Sequence, residues 1–514
     1  MNENTEENQK ENQKENQNEN QNEAEVISEG TDNDENAEEP LIVNQNTISS
    51  WIPARLDRLP FSRFHVHVMT WILDGLEVTI ISVIGTILSR SDVLGISDVE
   101  IGLIGTIYIS GAICGALVLG YLSDKYGRRA LFTKIPFIYA TASLFTAVLG
   151  LNFPLFVIWN WFIGFGIGGE YSSVNSTVDE FIPSAVRGRV NIFVNGSYWL
   201  GGLLGASVSL LLLNTSLIGP NYGWRIFFGI GFVLGIGIYF LRRTLPESPR
   251  WLMIHGRNEE AERIVTEIEK KVFAKKPEVP IPEDAEPVVI TPGFKTSYKL
   301  IAKRMFKVDK KKSILGLSLM IGQAFFYNGL FFTYALVLKK FYNVYSDSVG
   351  IYLIFFCIGN FLGPTILGQL FDKIGRIPMI SGTYILSGLL LLATSFLFLE
   401  DKLNAITQTL CWAVIFFVAS AGASSAYLTV SEIFPLELRA LAISFFYSTG
   451  TGLGGIISPF IFGALVSTKS RIKVFWGYVF ATSLMVFAGV LELFIGVKSE
   501  GQSLEKIAKP LSSS

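Results

Sequence analysis

"GYLSDKYGRR", residues 120–129, breaks two long apolar runs with one acid, three bases and two glycines, and a reduced copy, "GQLFDKIGR", stands at residues 368–376. A second pair of stretches echoes in the same order, "DEFIPSAVRGR" at 179–189 and "SEIFPLELRA" at 431–440. Self-similarity of this kind marks a chain built twice on one plan. In each half the first motif follows the second apolar run and the second motif follows the fourth.

Working outward, apolar runs of about 20 residues, long enough to cross a hydrocarbon core of about 30 Å, recur along the chain. They lie near 63–89, 100–121, 131–150, 154–177, 189–213 and 223–243, and then near 313–338, 348–371, 378–399, 405–430, 440–466 and 474–497. The charged stretch 244–312 separates six from six. The pattern predicts an all-α integral membrane protein, with twelve transmembrane helices in two six-helix bundles. Composition agrees: 50% of the 514 residues are hydrophobic and only 17% are charged, against about a quarter in soluble chains. Forty Phe and 48 Gly suit lipid-facing surfaces and close helix contacts. A parallel duplication places the pathway between the halves at mid-membrane.

The expected organisation is an acidic tail over 1–50, a first bundle over 55–243, a loop with short helices over 244–312, a second bundle over 313–498, and a second tail over 499–514. The net charge of −2 conceals a contrast, because residues 1–48 hold roughly fourteen Asp/Glu against two Lys. This tail, with its near-repeat "NQKENQKENQNENQNE", carries too little apolar surface to fold, so disorder is expected. It has no apolar core of a signal peptide. Connections on one side of the spans hold roughly twenty-five Lys and Arg and those on the other about seven, which predicts that both termini are cytoplasmic. "ESPRWLMIHGRNEEAERIVTEIEKKV" (247–272) has amphipathic helical spacing, and is expected to lie against the bundle.

The repeated loop motif resembles that of the major facilitator superfamily, at Gly120, Asp124, Gly127, Arg128 and Arg129. "PESPRWL" (246–252) and "YLTVSEIFPLELR" (427–439) resemble the sugar-porter branch, as do Gln323 and Asn328 in "QAFFYN". The paired tyrosines of that branch are replaced by Phe332 and Thr333. "DGLE" (74–77) and "GFGIGGE" (164–170) look more like the metabolite:proton and aromatic-acid symporters. The resemblance runs from about residue 55 to 498. It implies alternating access, with a charged latch that includes Glu180, Arg187, Asp372, Arg376, Glu432 and Arg439 beside the first motif. Asp372 with Arg376, Glu180 with Arg187, and Glu432 with Arg439 are the expected partners. Many relatives carry arginine where this chain has Asn160.

Charges within spans are few: Asp74, Glu77, Glu170 and Glu492. A charge at the bilayer centre costs roughly 2.5 kcal/mol or more on insertion scales, and needs a reason. Asp74 and Glu77 share one helix face. With Glu170 they are the candidate proton-coupling groups, because a desolvated carboxyl can take up a proton on one side and release it on the other. Glu492 is expected at the interface. No Lys or Arg falls near the middle of a span, which favours a neutral or cationic solute over an anionic one.

Solute contacts need hydrogen-bonding side chains and an aromatic wall. Candidates in the first half are Asn160, Tyr171, Asn195 and Tyr198. Those in the second are Gln323, Tyr327, Asn328, Asn360, Trp412 and Tyr427. "GFGIGG" also spells the dinucleotide pattern G-x-G-x-x-G, but without a strand before it the glycines are expected to serve helix approach. No catalytic triad, metal-ligand cluster or phosphate loop is visible, so no enzyme activity, cofactor or metal is expected. Cys114, Cys357 and Cys411 lack metal or disulfide spacing. The expected protein is a proton-coupled symporter of a small polar solute such as a sugar or polyol, in the cell membrane. Its expected partners are solute, protons and lipid, without nucleic acid, and it is expected to act as a monomer. A uniporter, an organic-acid or cation transporter, or a non-transporting receptor are the alternatives.

Overall fold

The computed structural model describes residues 48–58, 71–76, 78, 79, 84, 87, 88, 90–212, 218, 221–243, 245–274, 277, 280, 281, 287–290, 302–344 and 349–509. The acidic tail before residue 48 and Glu77 lie outside them. Among the described residues, nine helices are long and apolar enough to cross a membrane.

Span one is represented by helical residues 71–76, 78, 79, 84, 87 and 88. The rest of the first half is span two (Asp98–Tyr126), span three (Arg128–Leu149), span four (Phe153–Phe181), span five (Arg187–Gly196 and Tyr198–Leu212) and span six (Gly223–Arg242). The second half comprises span seven (Lys310–Tyr342), span eight (Val349–Lys373), span nine (Arg376–Leu399), span ten (Ala405–Ile433), span eleven (Arg439–Ser467) and span twelve (Arg471–Ile495).

Several helices outrun their apolar stretches. Span two begins at Asp98 because Ser97 and Glu100 close a capping box, with Ser97 N–H donating to Glu100 at 2.7 Å. Span four continues through Asp179 and Glu180, both fully buried. Hydropathy stops at the first charge, whereas the helix runs on wherever that charge finds a partner.

The two halves pack by one device. A Cβ on Gly168 of span four would lie 1.9 Å from the Ala112 carbonyl oxygen of span two, and one on Gly363 of span eight would lie 1.9 Å from that of Phe417 in span ten. Only glycine lets these backbones approach so closely, as expected for "GFGIGG". In both halves the fifth helix is interrupted, span five at Ser197 and span eleven by a π-helical stretch, Thr451–Ile456. Such breaks free backbone groups and recur at functional sites. The halves meet where span five packs on span eight and span two on span eleven.

At the end carrying residues 48–58 and 497–509, the central loop forms helices Pro249–Ile254 and Asn258–Phe273. The stretch with amphipathic helical spacing forms two helices, parted at Gly256, whose φ of +73° ends the first. Ala261, Val265 and Val272 are its buried face. A small antiparallel pair, Ile48–Ser50 with Val288–Ile290, is added to the helical fold, with Ser49 opposite Val289.

Candidate functional site

A cavity of about 140 Å³ lies between the halves. Trp71 and Val78 of span one, Tyr171 of span four, and Asn195, Tyr198 and Trp199 around the break in span five form one wall. Span seven contributes Gln323, Tyr327, Asn328, Phe331 and Phe332, and span ten Ser420, Ala423, Ser424 and Tyr427. Its volume is close to the roughly 150 Å³ of a protein cavity that takes one benzene ring.

Aromatic packing joins the two walls. Tyr171 stacks on Tyr447 of span eleven at 4.7 Å between centroids and 15° between planes, and meets Trp71 edge-on at 4.6 Å. Trp199 presents its edge to Phe331 at 5.4 Å across the halves. Such pairs add about 0.5–1.5 kcal/mol beyond the area they bury.

Seven of the ten residues expected at the solute site line this cavity; Asn160, Asn360 and Trp412 do not. Asn160 donates to the Ile104 carbonyl at 3.3 Å and ties span four to span two. Asn360 accepts the Tyr327 hydroxyl at 3.0 Å from behind the wall. Trp412 is buried against Tyr334, 4.9 Å between centroids. Conversely, Trp71, Trp199, Phe331 and the span-ten residues Ser420 and Ser424 were not anticipated. Ser420, Ser424 and Tyr427 stand at i, i+4 and i+7, a polar stripe on an apolar helix that the spacing could have revealed.

The polar groups at the wall are partly committed. Asn195 Nδ2 donates to Asn175 Oδ1 and Asn191 Oδ1, each at 2.9 Å. Asn328 Nδ2 donates to the Ala324 carbonyl at 2.8 Å. Gln323 donates its amide N–H to the Met320 sulfur at 4.0 Å and hydrogen-bonds the Tyr427 side chain, a second lining residue.

Asp74 is 1% exposed and sits between the lining residues Trp71 and Val78 on one helix face. Its charge reaches Tyr198 and Tyr447. Glu170 departs from expectation, since Arg242 at the end of span six turns inward and grips its carboxylate at 2.7 and 3.1 Å. The span interior therefore holds a guanidinium that counting bases in mid-span does not reveal. Glu492 also departs: it is 1% exposed, within span twelve, and neither carboxylate oxygen has a hydrogen-bond partner among the described residues.

The two loop motifs build a buried charge layer at the terminus-bearing end. Arg128 pairs with Asp124 and, at 3.0 Å, with Glu180. Arg376 repeats this with Asp372 at 2.8 Å and Glu432 at 3.1 Å. Each loop acid also crosses between halves. Asp124 accepts the Leu441 N–H at 3.0 Å, at the start of span eleven. Asp372 accepts the N–H groups of Gly188 and Arg189 at 3.0 and 2.8 Å, at the start of span five. Helix N-termini carry the partial positive charge and free N–H groups that carboxylates satisfy.

The expected Glu180–Arg187 and Glu432–Arg439 pairings are not formed. Glu432 faces Arg187 of the other half at 3.5 Å, and Arg439 donates to the Ser431 carbonyl at 2.7 Å. The exchange follows from the docking of the halves, which brings each motif against its copy. Gly120 lies one turn before Asp124 in span two.

Glu247 of "PESPRWL" completes the layer, accepting the N–H groups of Arg128 and Arg129 at 2.8 and 3.1 Å. Gly127, with φ of +103°, leaves it room, since a Cβ there would stand 2.4 Å from Glu247 Oε2. Glu500 caps Arg376 N–H at 3.3 Å in the same manner in the second half. Burial pushes the Glu247 carboxyl above its usual range, against the pull of the N–H groups and Arg128. For Glu505 burial also pushes upward, but the Arg250 guanidinium at 2.9 Å, a backbone N–H, Arg439 and Arg187 together outweigh it and the carboxyl falls below its usual range.

The model of the family described as "Sugar (and other) transporter" matches residues 4–510. The chain is 26% identical to the niacin transporter NiaP of Acinetobacter baylyi, over 88% of this chain and 99% of that protein. It is 25% identical to the arabinose-proton symporter of Bacillus subtilis, over 85% and 92%. The solved proton:xylose symporter XylE, bound to 6-bromo-6-deoxy-D-glucose, superposes with a TM-score of 0.69 at 18% identity, covering 89% of this chain and 98% of that one. The repeated halves and the loop motifs are accordingly those of a multi-pass secondary transporter of the major facilitator fold. The chain belongs to the sugar (and other) transporter family.

Proposed function

We propose that this chain moves a small, single-ring polar solute across the cell membrane by alternating access, coupled to protons. The observation that carries the reading is the cavity walled by both halves with a buried carboxylate, Asp74, on the same helix face as two of its lining residues. Its volume is that of one ring, and the relatives named above carry niacin and arabinose. No lysine, arginine, aspartate or glutamate lines it among the described residues, which favours a neutral solute. The Lys and Arg bias of the connections supports a cytoplasmic position for both termini and the charge layer. That layer then acts as a latch that holds the cytoplasmic side closed and parts as the halves rock. Asp74 is the favoured proton carrier. Glu170 is engaged with Arg242 at 2.7 Å, and protonating it would break that buried ion pair. A single chain contains the whole pathway, so a monomer suffices.

The test is solute-driven acidification of proteoliposomes loaded with a pH dye, over a panel of sugars, polyols, pyridine derivatives and amines. Acidification with one solute, absent in Asp74→Asn, is the expected result. Uptake of labelled solute without acidification would replace symport by uniport. No uptake and no binding across the panel would remove the solute reading. For the solute so found, Gln323→Ala is expected to raise the half-saturation concentration about ten- to a hundredfold, the loss of one or two hydrogen bonds. Asn160→Ala is expected to leave it within about twofold, since Asn160 serves the span two–span four contact.

A further inference from the structure

Residues 48–58 precede the first span and lie across the charge layer. After the strand Ile48–Ser50 comes a short helix, Ile52–Asp57. A six-residue helix has little stability alone, so its position is set by what it touches. Ile52 and Leu56 are buried with Trp251, Leu252 and Val265 of the loop helices, and with Leu436 from the second half. Arg55 donates to Glu269 at 2.6 Å and to Thr266 at 3.1 Å, and Arg58 adds a bond to Glu269 at 2.8 Å.

These contacts deliver the Asp57 carboxylate to two arginines. Its Oδ1 lies 3.7 Å from Arg187 Nη2 and 3.6 Å from Arg250 Nη2. Both arginines are fully buried, and neither Nη2 has a hydrogen-bond partner among the described residues. Their other edges face the second half and the tail that follows it. Arg187 Nη1 is 3.5 Å from Glu432 and donates to the Gln502 carbonyl at 3.1 Å. Arg250 Nε donates to Glu505 at 2.9 Å.

We propose that residues 48–58 are a strap of the gate, and that Asp57 is a positioning residue that holds Arg187 and Arg250 side by side, so that Arg187 reaches Glu432 of the second half and both reach the tail that follows it. Two buried like charges repel without a shared counter-charge. Removing Asp57 lets the guanidinium groups turn apart, loosening their bonds to Glu432, Gln502 and Glu505. Those bonds hold the cytoplasmic side together in this structure, so their loss shifts the equilibrium toward the cytoplasm-open state. The strap also reaches the second half through Leu436. This inference rests on the alternating-access reading, and its test separates the two.

The test uses the full chain with Cys114, Cys357 and Cys411 replaced by serine and a reporter, Ser424→Cys, in the cavity wall. A membrane-impermeant maleimide is applied to right-side-out and to inside-out vesicles. Asp57→Asn is expected to speed labelling from the cytoplasmic face about tenfold and to slow it from the other face, within the usual range of couplings between sites. Asp57→Glu is expected to restore most of the original ratio. A role in folding alone would alter labelling from both faces in the same sense. If Asp57→Asn does not fold, Arg55→Ala, which loosens the strap at its outer edge, is expected to move the ratio in the same direction. Unchanged labelling ratios in both variants, with the parent labelled from either face, would overturn the strap and leave alternating access standing. A parent labelled from one face only, with and without solute, would overturn both.

Discussion

Glu170→Gln and Arg242→Met are each expected to cost about 3–5 kcal/mol of stability, and the double variant to recover most of it. The two side chains are each 1% exposed and joined at 2.7 Å. Removing either leaves a full charge in a medium that cannot solvate it, whereas removing both leaves two uncharged groups of similar volume. Thermal unfolding of the purified protein in detergent reads the difference. Single variants within about 0.5 kcal/mol of the parent would show that water reaches the pair. The double variant also decides the coupling residue. If it folds and still acidifies vesicles with solute, the proton travels by Asp74. If it folds and takes up solute without acidification, Glu170 belongs to the proton path after all.

Gly168→Val is expected to prevent assembly, so that no monodisperse protein is recovered from membranes. The added Cβ would already stand 1.9 Å from the Ala112 carbonyl oxygen and 2.5 Å from its Cα. Backbone cannot yield as a side-chain tip can, so spans two and four would have to separate along their shared face. Gly363→Val is expected to do the same between spans eight and ten, where the corresponding distance to the Phe417 oxygen is also 1.9 Å. The control is Gly382→Ala in span nine. Nothing lies within 4 Å of a Cβ there, and alanine in a helix is favoured over glycine by about 0.5–1 kcal/mol. Recovery and thermal midpoint should therefore hold or rise for Gly382→Ala. Normal recovery of Gly168→Val would contradict the close approach of these helices.

The residues of the charge layer were readable because a motif repeated in both halves advertises a shared structural duty, and Asp124, Arg128, Asp372 and Arg376 met within single loops. Their longer-range partners were not. Glu432 turns to Arg187 because the docking of the halves brings the two motif copies face to face. Glu170 and Arg242 are 72 residues apart, and nothing in local spacing links the middle of one helix to the end of another. Glu492 looked interfacial from its place near a helix end, but the face it occupies is turned into the protein.

What the sequence determined by itself is the solvent, the span pattern, the duplication and the position of the charge layer. Each of these is set by transfer of local stretches between water and lipid, or by repetition along the chain. What only the tertiary structure decided is which polar side chains reach the cavity, which charges pair across the halves, and how the segment before span one is used. Asn160 and Asn195 are alike as residues in apolar helices, yet one binds a neighbouring backbone and the other lines the cavity. The difference lies in the rotation of each helix about its axis, which is fixed by packing against the other helices and by no property of the residue itself.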